Sequence, residues 1–244
     1  MARRCLLSAK PVNTSETQPL YTTGIYTVPE ASRLTNVSVG RIRRWIRGYS
    51  FKTRNKERHL SSPLWRGEWE PIDHSWALGF RDLIEIRFVD AFLCAGVSWR
   101  ILRAANESAQ ERFGDTHPFS SRHFVTDGRE IFVELARPGG GEPALLDIIR
   151  SQQVFSKIIR PYLRGLEYSR RDELLRWRPN VGKVVILDPK RSFGQPIVEE
   201  HGVPTTILAS AAKASRSFSE VIHWFGVSER EVADAVGFEQ QLAA

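Results

Sequence analysis

Tyr26-Thr27-Val28-Pro29-Glu30-Ala31-Ser32-Arg33-Leu34-Thr35-Asn36-Val37-Ser38-Val39-Gly40-Arg41-Ile42-Arg43-Arg44-Trp45-Ile46-Arg47-Gly48 is the stretch on which the fold turns. Thr27 has the side chain of a helix cap, Glu30 stands three residues on to return the bond, and Pro29 suits a first turn. Val28, Ala31 and Leu34 then share one helical face. Thr35-Asn36-Val37 makes a short turn, and Ser38 is placed to cap a second helix in which Val39, Ile42, Trp45 and Ile46 recur at helical spacing. Gly48 ends it. Two short helices joined by about three residues, with Val37 plugging the turn, form a helix-turn-helix pattern.

Once the apolar positions face inward, Gly40, Arg41, Arg43, Arg44 and Arg47 are left on or beside the outer face of the second helix. Arginine there suits a DNA major groove, because its planar fork pairs with guanine O6 and N7 or clamps a phosphate. Residues 41–66 carry nine basic residues against one acid, Glu57, so the whole of the chain's net charge of +7 is concentrated there and the remainder is slightly acidic. Such a local excess is the footprint expected where phosphates dock. The expected DNA-contacting set is Ser38, Gly40, Arg41, Arg43, Arg44 and Arg47 at the helix, with Lys52, Arg54, Lys56 and Arg58 on phosphates from a two- or three-stranded wing over 49–69. Two copies of the chain, spaced one DNA turn apart, would read an inverted repeat. Trp65, Trp69 and Trp76 read as the wing's small core in preference to a stacking surface.

Composition bounds the rest. The chain has 244 residues, 41% hydrophobic and 26% charged, ordinary for a globular protein. No apolar run reaches the length of a spanning helix and no secretory leader is legible, so a cytoplasmic location without membrane attachment is expected. Cys5 and Cys94 are too few for a disulfide framework and read as free thiols. The histidines lack metal-ligand spacing and read as surface or capping groups. Asp82, Glu85 and Asp90 read as the solvated face of an amphipathic helix. No nucleophile elbow or catalytic-cysteine signature is present, and Gly139-Gly140-Gly141 lacks what a phosphate loop needs. Neither an enzyme, a cofactor nor a metal is expected.

The expected organisation is a flexible arm over 1–24, a DNA-binding domain over 25–136, a linker with connecting helices over 137–182, and a helical C-terminal domain over 183–244. A helical hairpin falls over 80–114, two strands around Asp127-Gly128 over 122–133, a helix over 145–159 that stops at Arg160-Pro161, and a short strand at Lys183–Leu187. Three helices close the chain, the last two joined at Gly226-Val227 with Ser228 and Glu231 forming a capping box. The final helix carries Glu229, Glu231, Asp234 and Glu239 against Arg230, so like-charge repulsion from phosphate argues for dimerisation or partner docking. The fold class is mainly α with small β elements.

The segment Tyr26–Ser38 followed by Arg41–Trp45 resembles the start of a MerR-type winged helix-turn-helix. Asp188-Pro189, Gly194-Gln195-Pro196-Ile197 and Gly202-Val203-Pro204-Thr205, with the final helices, resemble a small antitoxin-associated helix-turn-helix domain. Together the two modules resemble VapB-type antitoxins with a MerR-like N-terminus. That resemblance implies a PIN-like ribonuclease toxin as partner and repression of a shared promoter. A stand-alone, ligand-responsive MerR-like regulator, with its pocket in the middle segment, is the alternative.

Overall fold

The computed structural model describes residues 23–52, 56–69, 76–136, 152–215 and 217–243. Residues 1–22 of the expected arm over 1–24, Cys5 among them, with Arg54, His74, the triple glycine and the first half of the expected 145–159 helix, lie outside the described residues.

The chain is mainly α-helical with small β elements. A two-residue strand β1 (Tyr26–Thr27) leads into α1 (Val28–Thr35) and α2 (Val39–Arg47). The caps explain the boundaries. Thr27 and Glu30 form the expected capping box, with the Thr27 amide donating to Glu30 Oε2 at 2.7 Å and the Glu30 amide to Thr27 Oγ1 at 3.3 Å. Asn36, in the left-handed region, ends α1. Ser38 holds the N-cap position of α2, but its side chain makes no capping bond, contrary to expectation; its carbonyl receives the first helical amides instead. At Gly48, φ is +71° and a Cβ would collide with the Ser61 carbonyl, so only glycine lets the chain leave α2 here. It then enters a hairpin of β2 (Tyr49–Lys52) and β3 (Arg58–Ser61), and β4 (Ala77–Leu78) returns to pair antiparallel with β1.

Next come α3 (Phe80–Cys94), α4 (Trp99–Phe113) and α5 (Arg122–Ala136). α4 is capped as expected, Ser98 accepting from the Ile101 amide. α5 corrects the expected strand pair over 122–133. Phe124, Ile131 and Phe132 are all fully buried, a spacing that one helical face satisfies and an alternating strand does not. The Asp-Gly signal is overridden because the Phe124 ring lies over Gly128, where a side chain would collide. Phe92 of α3 is the hub, its ring centroid 5.1–6.1 Å from those of Phe119, Phe124, Phe132 and Phe155.

α6 (Gln152–Leu163) covers the described half of the expected helix and, contrary to expectation, carries on through Pro161. The two residues beyond the proline pack on the core, and Arg87 of α3 donates to the Tyr162 carbonyl at 3.1 Å. Arg87 also lies 4.1 Å from the centre of the Trp177 ring, and burial pulls its guanidinium down to about 10. A four-stranded antiparallel sheet follows in the order β5 (Leu166–Tyr168), β6 (Leu174–Trp177), β7 (Val185–Leu187), β8 (Pro196–Val198). β6 and β7 are joined through one residue pair, Trp177 with Leu187. Both side chains belong to the core built on α1–α6, whereas Val198 of β8 belongs to a second cluster with α7 (Thr205–Ala214), α8 (Phe218–Phe225) and α9 (Glu229–Ala243). The segment before α1 also meets the turn before β8 directly: the buried Tyr26 hydroxyl donates to the Gly194 carbonyl at 2.6 Å, and the Ile25 amide to Phe193 O at 3.0 Å.

The capping box Ser228/Glu231 and the turn at Gly226 stand as expected. The acids of the last helix do not. Glu231 and Asp234 are buried, 2% and 8% exposed. Asp234 takes the Lys183 ammonium at 2.7 Å and the Val184 amide at 3.1 Å, Glu231 takes His201, and Glu239 accepts from Thr205. These carboxylates fasten α9 to the sheet and to α7, so the repulsion argued from them does not apply to its exposed face.

Candidate nucleic-acid interface

The apolar positions of α2 do face inward: Ile42, Trp45 and Ile46 are each under 5% exposed. Ser38, Gly40, Arg43, Arg44 and Arg47 are exposed on the other side, and Arg41 is half-exposed at its edge. Lys52, Lys56 and Arg58 are exposed on the adjoining hairpin, Lys56 with φ +60°. The expected residues are thus exposed or half-exposed on α2 and on the hairpin that follows it; Arg54 is the exception, lying outside the described residues.

The cations are arranged by aromatic rings. The Arg41 guanidinium lies 5.0 Å from the centre of the Trp45 ring, Arg44 5.9 Å from Tyr49 and Arg47 5.3 Å from Trp76. Rings under long basic side chains hold them out from the surface at small entropic cost. On the hairpin, cross-strand pairing puts Tyr49, Phe51 and His59 on one face, with ring centroids 5.8 Å apart for each neighbouring pair. The opposite face carries Ser50, Lys52, Arg58 and the 85% exposed Leu60. A hairpin exposed on both faces has no core of its own, and its attachment must come from its base.

Sequence reasoning missed that base. Arg103 of α4 reaches under the hairpin, donating through Nη1 to Ser62 Oγ at 2.9 Å and Pro63 O at 3.0 Å, and through Nη2 to Ser62 O at 2.6 Å and Ser61 Oγ at 3.2 Å. Its guanidinium also lies 5.4 Å from the Trp99 ring, and Trp99 stacks on Trp45 of α2 at 6.5 Å. Helix and hairpin are thus held by one buttress. The expected tryptophan core is realised most fully by Trp65, which is 3% exposed; Trp69 and Trp76 are half-buried.

Asp82 and Glu85 overturn the expected solvated face, since both are fully buried. The Asp82 carboxylate accepts from Trp65 Nε1 at 2.6 Å, Gly79 N at 2.8 Å and Glu68 N at 3.0 Å, and lies 2.8 Å from His117 Nε2. His117, read as a surface group, is 2% exposed. Against the penalty of burial, the bond to His117 and its charge hold Asp82 below the usual carboxylate range, and Asp82 in turn raises His117. Glu68 bonds the Arg81 amide at 2.9 Å, its carboxylate passing over Gly79 where any Cβ would collide. Burial and then Asp82 push Glu68 up to about 7, and burial pushes Glu85 to about 7. No motif marks this cluster, because its members come together from the hairpin exit, the start of α3 and the α4–α5 turn.

Cys94 is a free, exposed thiol. Among the described residues, no helix is long and apolar enough to cross a membrane. Glu200, His201 and Glu231 are the described side chains close enough to share a metal ion, but Glu231 is already spent on His201 and Ser228.

No family model matches the chain. It is 28% identical over 222 residues to the Mycobacterium tuberculosis protein named "Putative antitoxin VapB45", a match that spans 87% of this chain and 92% of that one. Its fold is similar to the crystal structure of Rv2018 from Mycobacterium tuberculosis, with a TM-score of 0.67, 24% identity, and coverage of 86% of this chain and 96% of the other. That second likeness speaks to the fold alone.

Proposed function

We propose that this chain is a sequence-specific DNA-binding antitoxin of a type II toxin–antitoxin system, which neutralises a PIN-like ribonuclease toxin and represses its own operon as a homodimer. The observation that carries the DNA part is the exposed arginine face of α2 beside a basic hairpin; in this reading the two form a winged helix-turn-helix of MerR-like order. The similarity to a protein named as an antitoxin supports the toxin part. In this reading α2 lies in the major groove with Ser38, Gly40, Arg41, Arg43, Arg44 and Arg47 against it. Lys52, Arg54, Lys56 and Arg58 take phosphates from the wing.

The test is to co-express the chain with the product of its adjacent gene, purify on one tag, and titrate the product against its own promoter at two salt concentrations. Co-purification with promoter-specific, salt-sensitive binding is the expected result. Arg44→Ala should weaken specific binding by about 1–3 kcal/mol, and Lys56→Ala should weaken binding similarly on all sequences with a shallower salt slope. Equal effects of both variants on promoter and random DNA would overturn the assignment.

A further inference from the structure

A cleft of about 910 Å³ lies beside the buried charge cluster and has no part in the DNA-binding reading. Three features of its lining point to a ligand. Phe113 and His123 stack with centroids 5.9 Å apart at 26°, forming a flat aromatic wall. Thr23 lines the cleft, and its hydroxyl is buried beside it without a hydrogen-bond partner. Glu68 lines it too; one carboxylate oxygen caps α3, and the group has no ion-pair partner among the described residues, because the neighbouring Arg81 guanidinium is committed to Asp115 at 2.6 Å.

We propose that this cleft binds a small organic amine, whose protonated nitrogen pairs with Glu68 and whose apolar or aromatic body lies against the Phe113–His123 wall. Glu68 selects the class. The lining also carries Arg171 and Lys190 against Asp172 and Glu173, but Asp115 is paired with Arg81 and Asp172 with Arg122, whereas the charge that acts most on Glu68 is that of Asp82, and Glu68 has no ion pair of its own among the described residues. Glu85 directs one oxygen to the Ser120 amide at 2.8 Å and leaves the other unpartnered. A cation arriving at Glu68 supplies the counter-charge that the group lacks, whereas an anion there would meet a carboxylate. Glu68 holds its proton up to about 7, so pairing with a charged amine expels that proton. Glu68 is also the link to the wing: its amide and the Trp65 indole both donate to Asp82, so an amine at Glu68 acts on the segment on which the hairpin is anchored. That last step rests on the DNA-binding reading; amine binding does not.

The test is calorimetric titration of the full chain with tryptamine, with hexylamine as a second amine and indole-3-propionate as the oppositely charged control. Saturable binding of an amine is expected, with no heat from the carboxylate and with net proton release at about pH 7 in two buffers of different ionisation enthalpy. Glu68→Gln, which keeps an oxygen for the Arg81 amide, should weaken the amine at least about tenfold; Thr23→Val, away from the charge cluster, should weaken it less and guards against a folding defect in the first variant. Equal binding of indole-3-propionate, an unchanged affinity in folded Glu68→Gln, or no saturable binding of either amine overturns the proposal. Amine binding in a chain that ignores promoter DNA would separate failure of the DNA reading from failure of this one.

Discussion

The Arg41 guanidinium lies 2.6 Å from the Asp90 carboxylate, so the most N-terminal arginine of α2 is tied back to α3. An arginine held this way is oriented for a base and withheld from passing phosphates. Asp90→Asn should release it. The expected outcome in fluorescence anisotropy is a few-fold tighter binding to random DNA, a salt slope steeper by about one unit, and a smaller ratio of specific to non-specific affinity. Unchanged slopes would show that Arg41 is not near phosphate.

Arg103→Ala removes the four bonds that fix the hairpin's base. A wing without its anchor still folds back but samples more orientations. Promoter affinity should fall about tenfold, the equivalent of about 1.4 kcal/mol, and amide exchange over Tyr49–Ser61 should quicken, while the melting temperature moves little. A large loss of stability with unaltered exchange in the hairpin would place the residue's role elsewhere.

Much of this part of the fold was legible in advance because its determinants are local. Thr27 with Glu30, Ser98, and Ser228 with Glu231 set helix starts over three or four residues, and the inward face of α2 follows from spacing alone. Burial of acids depends on partners far along the chain. Asp82 meets His117 across 35 positions, and Asp234 meets Lys183 across 51. Nothing near either acid distinguishes it from one facing water. The strand reading at Asp127-Gly128 failed for a related reason, a local turn signal being outweighed by a phenylalanine cluster gathered from α3, α5, α6 and the α4–α5 turn.

Stability should decline from mildly acidic to alkaline pH. The folded chain keeps the Glu85 proton up to about 7 against 4.5 for the ordinary group, so stability is lost as pH rises through that window, about 3 kcal/mol at most. Glu68 acts in the same direction over the same window. His117, raised by Asp82, contributes its stabilisation at lower pH and loses it as pH climbs through its folded value. Asp82, held low, weakens the fold only in stronger acid. Glu85→Gln should flatten the profile and melt above the parent chain at about pH 8. A parent melting temperature that rises with pH across this range would contradict the placement of these groups.

Tyr26→Phe deletes the buried hydroxyl that holds the Gly194 carbonyl. Leaving that acceptor unpaired should cost about 1–3 kcal/mol, read as a lower denaturant midpoint at unchanged slope. No loss would mean that water replaces the hydroxyl freely and that this seam between β1 and the turn before β8 is loose.

The single-pair junction of Trp177 and Leu187 gives the sheet a consequence for how the protein comes apart. Each hydrophobic cluster draws residues from this one sheet, so neither half can shed its strands without stripping a wall from the other. Heat should therefore undo the whole described structure in one endotherm. A protease that cuts between β6 and β7 would in turn not free two working halves: it would leave an α1–α6 remnant with an open flank beside Trp177 and a helical fragment deprived of half its floor.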